Sequence, residues 1–286
     1  SAGSGPTASL TRMATSRPVP TLDVLLPTGR EPIGPDPAEV SLGALYAHPA
    51  PRAGRTAWVR ANMVTTVDGA ATGPDHVSGS INNAADQRVF EVLRAAADVV
   101  LIGAGTARVE RYRSLSVPDA LAAGRAARGQ STQLELAVVS ASGVLPAELL
   151  TDDDLPLVLT VSSSPALPAL RERLGADRVI EAGDTEVDAE RALAALAARG
   201  LVRVLAEGGP HLLAQLVRSD AVDELCLTTS PLLVGGPAAR ILDTGTWLAP
   251  PRAATLAHLL HSDGVLLARW LLGARPGSDD GTRLTP

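Results

Sequence analysis

Short apolar runs alternate with segments of helical periodicity along most of this 286-residue chain. The clearest unit is LVRVLAEGGPHLLAQLV, residues 201–217. Val202, Val204 and Leu205 form a β-branched and apolar run long enough for one buried strand. Glu207 ends it, Gly208 and Gly209 turn the chain, and Leu212, Leu213, Leu216 and Val217 recur at helical spacing. Pro210, at the first helical position, has no N–H to lose. Free N–H groups at such a helix start suit an anion such as a pyrophosphate, and glycines let it approach the backbone. The same residues also fit an ordinary strand-to-helix connection.

Residues 58–69, WVRANMVTTVDG, predict a central strand turned by Asp68 and Gly69. Asp68 there is either a turn former or an acid facing substrate at the ligand edge of the sheet. Residues 70–83 form a small polar loop able to fold over a ligand. Asn82 or Asn83 then caps a helix ending at Ala97, with Val89, Val92, Leu93 and Ala96 on one face. Arg94, in its last turns, is a solvated end charge or a clamp on a substrate phosphate. Residues 98–105, DVVLIGAG, predict a buried strand running into a second glycine turn at Gly103, Gly105 and Thr106, with a weak helix over 107–112. That turn lacks the third glycine of a dinucleotide-binding fingerprint.

Strands follow at 134–140 and 155–161, each running into serines that either line one sheet edge or cap the next helix. A strand at 178–181, a helix at 188–199 and strands at 224–229 and 265–270 complete the series. Alternating strands and helices predict a parallel-rich α/β sheet. The last two strands lack a helix between them, so part of the sheet is expected to be antiparallel. The proline-rich stretch 17–37 reads as extended surface chain, and Asp36 and Pro37 cap a helix ending at Tyr46. The expected organisation is an N-terminal extension over 1–50, partly loose, one domain over 51–273 and a tail over 274–286. Met13 reads as the native start behind a short added leader.

Composition narrows the chemistry. A net charge of −6 argues against a nucleic-acid partner, and 2% aromatic residues leave little to stack on bases. The chain has no lysine, which excludes a Walker-type phosphate loop and a Schiff base. Cys226 is the single cysteine, excluding an internal disulfide and a cysteine-rich zinc site, and its apolar neighbours predict a buried thiol. No apolar run reaches membrane-spanning length and no signal peptide is visible, so a cytoplasmic enzyme is the expectation. His258 and His261 would share a helical face and bind a metal, or form a solvated loop pair; no other ligands accompany them, so no metal is expected. His76 and His211 are proton donors near neutral pH or simply face water.

In chain order, NMVTTVDG (62–69), IGAGTARVE (102–110), EGGPHLL (207–213) and PLLVGG (231–236) resemble the reductase domain of the riboflavin-biosynthesis deaminase/reductase proteins. This pyrimidine reductase family has a dihydrofolate-reductase-like fold. The resemblance implies a three-layer α/β sandwich with a mixed, mostly parallel sheet and helices on both faces. It implies NADPH, a homodimer, and hydride transfer to the ribosyl C1 of a ribosylamino-pyrimidine phosphate. Reduction of another heterocycle such as dihydrofolate or another pterin, or dinucleotide binding without turnover, are the alternatives. Position by position, it implies Val64 and Thr65 beside the nicotinamide, and Asp68 and Glu207 as the catalytic acids. Ser78, Arg94 and Leu115 are implied on the substrate, with Arg94 on its phosphate. Ser80, Gly103, Gly105, Thr106, Glu110 and Ser140 are implied on the cofactor, Ser140 by its 2′-phosphate. Gly208, Gly209, Pro210, His211, Leu212 and Leu213 are implied around the pyrophosphate. The chain departs from the family by lacking the H-x-E and P-C-x-x-C of the zinc deaminase half. It reads Arg111 to Leu115 where the family has an acid-Pro-x-Leu-Thr segment, and Ala70 where a basic residue is usual. These changes spare the cofactor half and alter the substrate half.

Overall fold

The computed structural model describes residues 18–151 and 154–273. In chain order the elements are β1 (Asp23–Leu26), α1 (Val40–Leu45), β2 (Trp58–Thr66), α2 (Ala84–Ala96), β3 (Val99–Gly103), α3 (Ala104–Val109) and α4 (Asp119–Ala127). They continue with β4 (Glu135–Val139), β5 (Leu157–Thr160), α5 (Leu167–Leu174), β6 (Val179–Glu181), α6 (Ala189–Ala197), β7 (Arg203–Ala206) and α7 (Pro210–Arg218). β8 (Glu224–Ser230), β9 (Ala254–Ser262) and β10 (Val265–Leu272) close the series. They form one ten-stranded sheet in the order β1-β9-β10-β8-β2-β7-β3-β4-β5-β6. The run from β8 to β6 is parallel, and β10, β9 and β1 add antiparallel strands at the other end. The expected three-layer sandwich, a mixed and mostly parallel sheet with helices on both faces, is what the chain forms, with its antiparallel portion.

Alternation along the strands builds the layers, because successive side chains point to opposite faces. Val99, Leu101, Val204 and Ala206 pack on one face with Leu193 and Leu196 of α6 and Leu212, Leu213 and Leu216 of α7. Val100, Ile102, Leu136, Val138 and Leu205 pack on the other with Val89, Val92 and Leu93 of α2. Asn83 caps α2, its side chain accepting from the N–H groups of Ala85 and Asp86 at 3.0 Å each.

β9 was not expected as a strand. His258 faces the core edge-on to Tyr46, with ring centroids 4.6 Å apart, and burial lowers its pKa to about 3. Neutral and buried, it packs as an aromatic. His261, three residues on, points to the opposite face and meets Asp23 at 3.2 Å. Strand geometry therefore separates the two histidines and rules out both the shared metal and the solvated loop pair. α3 starts at Ala104 and not at 107, with Gly103 as its N-cap. Cys226 is buried as expected.

Residues 22–46 are tied to the domain. Leu22, Leu42 and Tyr46 are buried in the core shared with α2. Arg88 of α2 holds Glu39 through two hydrogen bonds and donates to the carbonyls of Pro20, Ile33 and Gly34. Met13 and the tail over 274–286 lie outside the described residues. No helix among the described residues is long and apolar enough to cross a membrane.

Candidate active site

β2, β7 and β3 are adjacent and parallel, so their carboxyl ends share one edge of the sheet. Both glycine turns sit on that edge and touch. The Gly103 N–H donates to the Gly208 carbonyl at 3.1 Å. Gly208 has φ +92°, and a Cβ there would stand 3.2 Å from Met63 Sδ. Gly208 and Gly209 are joined by a cis peptide bond. A Cβ on Gly209 would stand 2.5 Å from Thr106 Oγ1, so the Thr106 hydroxyl must move before any side chain fits where the two turns close together. Pro210 opens α7, and the N–H groups of His211 and Leu212 have no protein acceptor among the described residues. They are the donors a helix start offers to an anion.

These turns open onto a cleft of about 980 Å³. Gly103, Gly105, Thr106, Glu110, Gly209, Pro210, His211 and Leu212 line it, as the resemblance implied for the cofactor. Ser78, Arg94, Leu115 and Glu207 line it too. Glu110 also fixes the loop over the cleft, its Oε1 accepting from the Ser78 N–H at 2.8 Å. Val64 lines a smaller recess that shares Met63, Ala71, Phe90, Tyr112 and Glu207 with the cleft. Leu213 lies in the core under the turn.

Glu207 is not a free acid. Its Oε1 accepts from Arg94 Nε and its Oε2 from Arg94 Nη2, both at 2.7 Å. The Tyr112 hydroxyl adds a third hydrogen bond at 2.6 Å. Burial, then the Glu207 charge, raises the Tyr112 pKa well above its ordinary value, so it stays a donor. Burial pulls the Arg94 pKa down, but the Glu207 hydrogen bond and charge outweigh it and the net shift is upward. The Arg94 guanidinium also lies 4.1 Å over the Phe90 ring. The expected bidentate clamp on a phosphate is thus corrected: the fork of Arg94 is on Glu207.

Four further expectations are corrected. Asp68 does not line the cleft; its carboxylate accepts from Thr66 Oγ1 and from the N–H groups of Val234 and Gly235, pinning residues 231–236 to the end of β2. Those hydrogen bonds, Thr66 first and Gly235 second, hold its pKa below the usual carboxylate range. Thr65 turns its hydroxyl to the Ala70 carbonyl at 3.2 Å. Ser80 bonds Asp75 at 2.8 Å and lies off the cleft wall. Ser140 is buried, and its hydroxyl donates to the Val144 carbonyl at 3.2 Å. Each hydroxyl had a backbone or carboxylate acceptor closer than the cleft.

Sequence reading missed Met63, Phe90, Arg108, Tyr112 and Arg113, all of which line the cleft. Arg113 and Tyr112 lie in the segment read as a departure, where replacement looked like loss.

An open, mostly parallel α/β sheet with two glycine turns meeting over a cleft at its strand ends is an arrangement suited to a nucleotide. The family model of the RibD C-terminal domain matches residues 57–265, and the chain belongs to that family. It is 30% identical over 191 residues to a 2,5-diamino-6-ribosylamino-4(3H)-pyrimidinone 5′-phosphate reductase of Methanothermobacter thermautotrophicus, covering 66% of this chain and 84% of that protein. The protein of that same name from Archaeoglobus fulgidus is 26% identical over 181 residues, with 63% and 82% covered. A pyrimidine reductase-like protein of Corynebacterium diphtheriae shares the fold at a TM-score of 0.68 and 26% identity, with 77% and 93% covered.

Proposed function

We propose that this protein uses NADPH to reduce the ribosyl C1 of a ribosylamino-pyrimidine 5′-phosphate in riboflavin biosynthesis. The observation that carries the reading is the meeting of the Gly103–Gly105 and Gly208–Gly209 turns in one cleft beside Glu207 and Arg94. The residues fit a dinucleotide: a cradle that a Cβ would fill, and unsatisfied N–H groups at the start of α7. When bound there, the nicotinamide supplies hydride.

The chain's own work is then positioning. His211 and Leu212 offer N–H groups to the pyrophosphate, and Thr106 and Glu110 border the same part of the cleft. Arg108 and Arg113 give the cleft cationic groups that suit a substrate phosphate in a chain without lysine. Residues 71–79 and 237–239 border the opening, held together by the Ala71 N–H donating to the Ala239 carbonyl at 2.8 Å. Such a rim helps keep water from the reacting carbon. The homodimer reading is supported by exposed Val67 and Leu233, on backbone segments joined by the Val67 N–H to the Leu232 carbonyl; sedimentation equilibrium tests it, a monomer mass overturning it.

The direct test follows loss of nicotinamide absorbance with the pyrimidine phosphate and, separately, with dihydrofolate. Oxidation with the pyrimidine phosphate alone is expected. Oxidation only with dihydrofolate moves the activity to a pterin. NADPH binding with neither ring reduced leaves a binding module. Gly209→Ala is expected to weaken NADPH by at least about tenfold, roughly 1.4 kcal/mol, with the melting temperature little changed. Unaltered affinity would show that the cofactor does not cross this turn.

A further inference from the structure

The positioning scheme leaves unused a buried acid that lines the recess beside the cleft. Asp86 stands at the third position of α2, where an acid commonly reaches back to the N-cap N–H. Here the Asn83 N–H goes to Asn82 Oδ1. Asp86 turns toward the sheet, and its Oδ1 accepts from the Thr228 hydroxyl of β8. Its Oδ2 has no protein partner among the described residues.

The side chain lines the recess of about 110 Å³ that opens from the cleft beside Val64 and Phe90. No cation among the described residues offsets it, and Arg94 of the same wall is held by Glu207. Only 6% of the residue is exposed, and burial pushes its pKa up to about 6 against the opposing Thr228 hydrogen bond. A helix start favours an acid in its first turn, but that explains neither the burial nor the unfilled acceptor. A buried carboxylate without a counter-charge is costly until a ligand brings donors to it.

The best match is a pair of parallel N–H donors. A 2-amino-pyrimidin-4-one ring carries such a pair in its N3–H and 2-amino group. The 2-oxo ring of a uracil places a carbonyl where the amino group stood, setting oxygen against oxygen. Resting on the reductase reading above, we infer that Asp86 pairs with the N3–H and 2-amino edge of the substrate and selects a 2-amino-pyrimidinone over its 2-oxo counterpart.

The test compares kcat/KM for 2,5-diamino-6-ribosylamino-4(3H)-pyrimidinone 5′-phosphate and for 5-amino-6-ribosylaminouracil 5′-phosphate, in the wild type and in Asp86→Asn. Asparagine keeps the shape and an acceptor for Thr228, but offers one donor and one acceptor, which suits the uracil edge. The wild type is expected to favour the diamino ring. In Asp86→Asn the ratio of the two values should fall at least about tenfold, with the 2-oxo ring keeping or gaining activity. A wild type that uses both rings equally, or favours the 2-oxo ring, overturns the inference without any variant. Equal loss on both rings in Asp86→Asn also overturns it, leaving Asp86 a structural residue and the reductase reading intact. Reduction of neither ring by the wild type removes the reductase reading itself, and this inference with it.

Discussion

Glu224→Gln is expected to cost about 3–5 kcal/mol of stability, the loss that follows when one partner of a buried ion pair is removed. Glu224 begins β8 and is the register partner of Arg60 on β2. Both side chains are fully buried. One carboxylate oxygen accepts from Arg60 Nε, and the other from Arg269 of β10 at 2.6 Å. The same two arginines run on to the end of α1, Arg60 donating to the Tyr46 carbonyl at 2.9 Å and Arg269 to the Leu45 carbonyl at 3.1 Å. A single carboxylate is therefore shared by two guanidiniums at the junction of three strands and an N-terminal helix. Glutamine removes the charge, sets an amide N–H₂ against a guanidinium donor, and leaves Arg60 with no counter-ion in the core. Urea unfolding reads the change as a lower midpoint. Glu181→Gln is the control, because its partner Arg171 is 44% exposed and the pair is worth roughly 0–1 kcal/mol. Similar losses at the two sites would show that burial does not set the strength of the Glu224 cluster.

What could be read from the sequence was what the backbone imposes locally. Strand-turn-helix units such as 201–217 announce themselves because the hydrophobic period changes from two to 3.6 across a glycine pair. The glycine turns were legible because glycine reports a backbone requirement, and the positive φ of Gly208 is such a requirement. The alternation of antiparallel β9 was obscured by polar residues, since a buried neutral histidine does not look apolar in a sequence. Asp68 was misread because a turn-forming acid and a substrate-facing acid occupy the same place at a strand's end. What distinguishes them is the loop at 231–236, brought in from more than 160 residues away by the β2–β8 pairing. Asp86 was invisible for a related reason: an acid in a first helical turn has a local explanation, and its partner Thr228 lies on a strand far along the chain.

Glu207→Gln and Arg94→Ala are each expected to lower kcat/KM by on the order of 100-fold, about 2.7 kcal/mol of transition-state stabilisation. The Arg94 fork, the Glu207 carboxylate and the Tyr112 hydroxyl form one hydrogen-bonded unit at the back of the cleft. Glutamine at 207 keeps the shape but frees the guanidinium, and alanine at 94 leaves a carboxylate that is only 2% exposed without its counter-charge. Either change lets this wall of the cleft relax, and on the proposed reading the cleft contributes mainly by positioning the reacting carbon. Because the two residues act together, Arg94→Ala combined with Glu207→Gln should lose little more than the worse single change. Tyr112→Phe should be milder, since the ion pair survives the loss of one hydrogen bond. A different pattern follows if Arg94 acts mainly on the substrate phosphate: KM for the phosphorylated substrate rises in Arg94→Ala, Glu207→Gln leaves it alone, and the two effects add. The double-mutant cycle separates these cases, and additivity would return Arg94 to the role of an independent phosphate ligand.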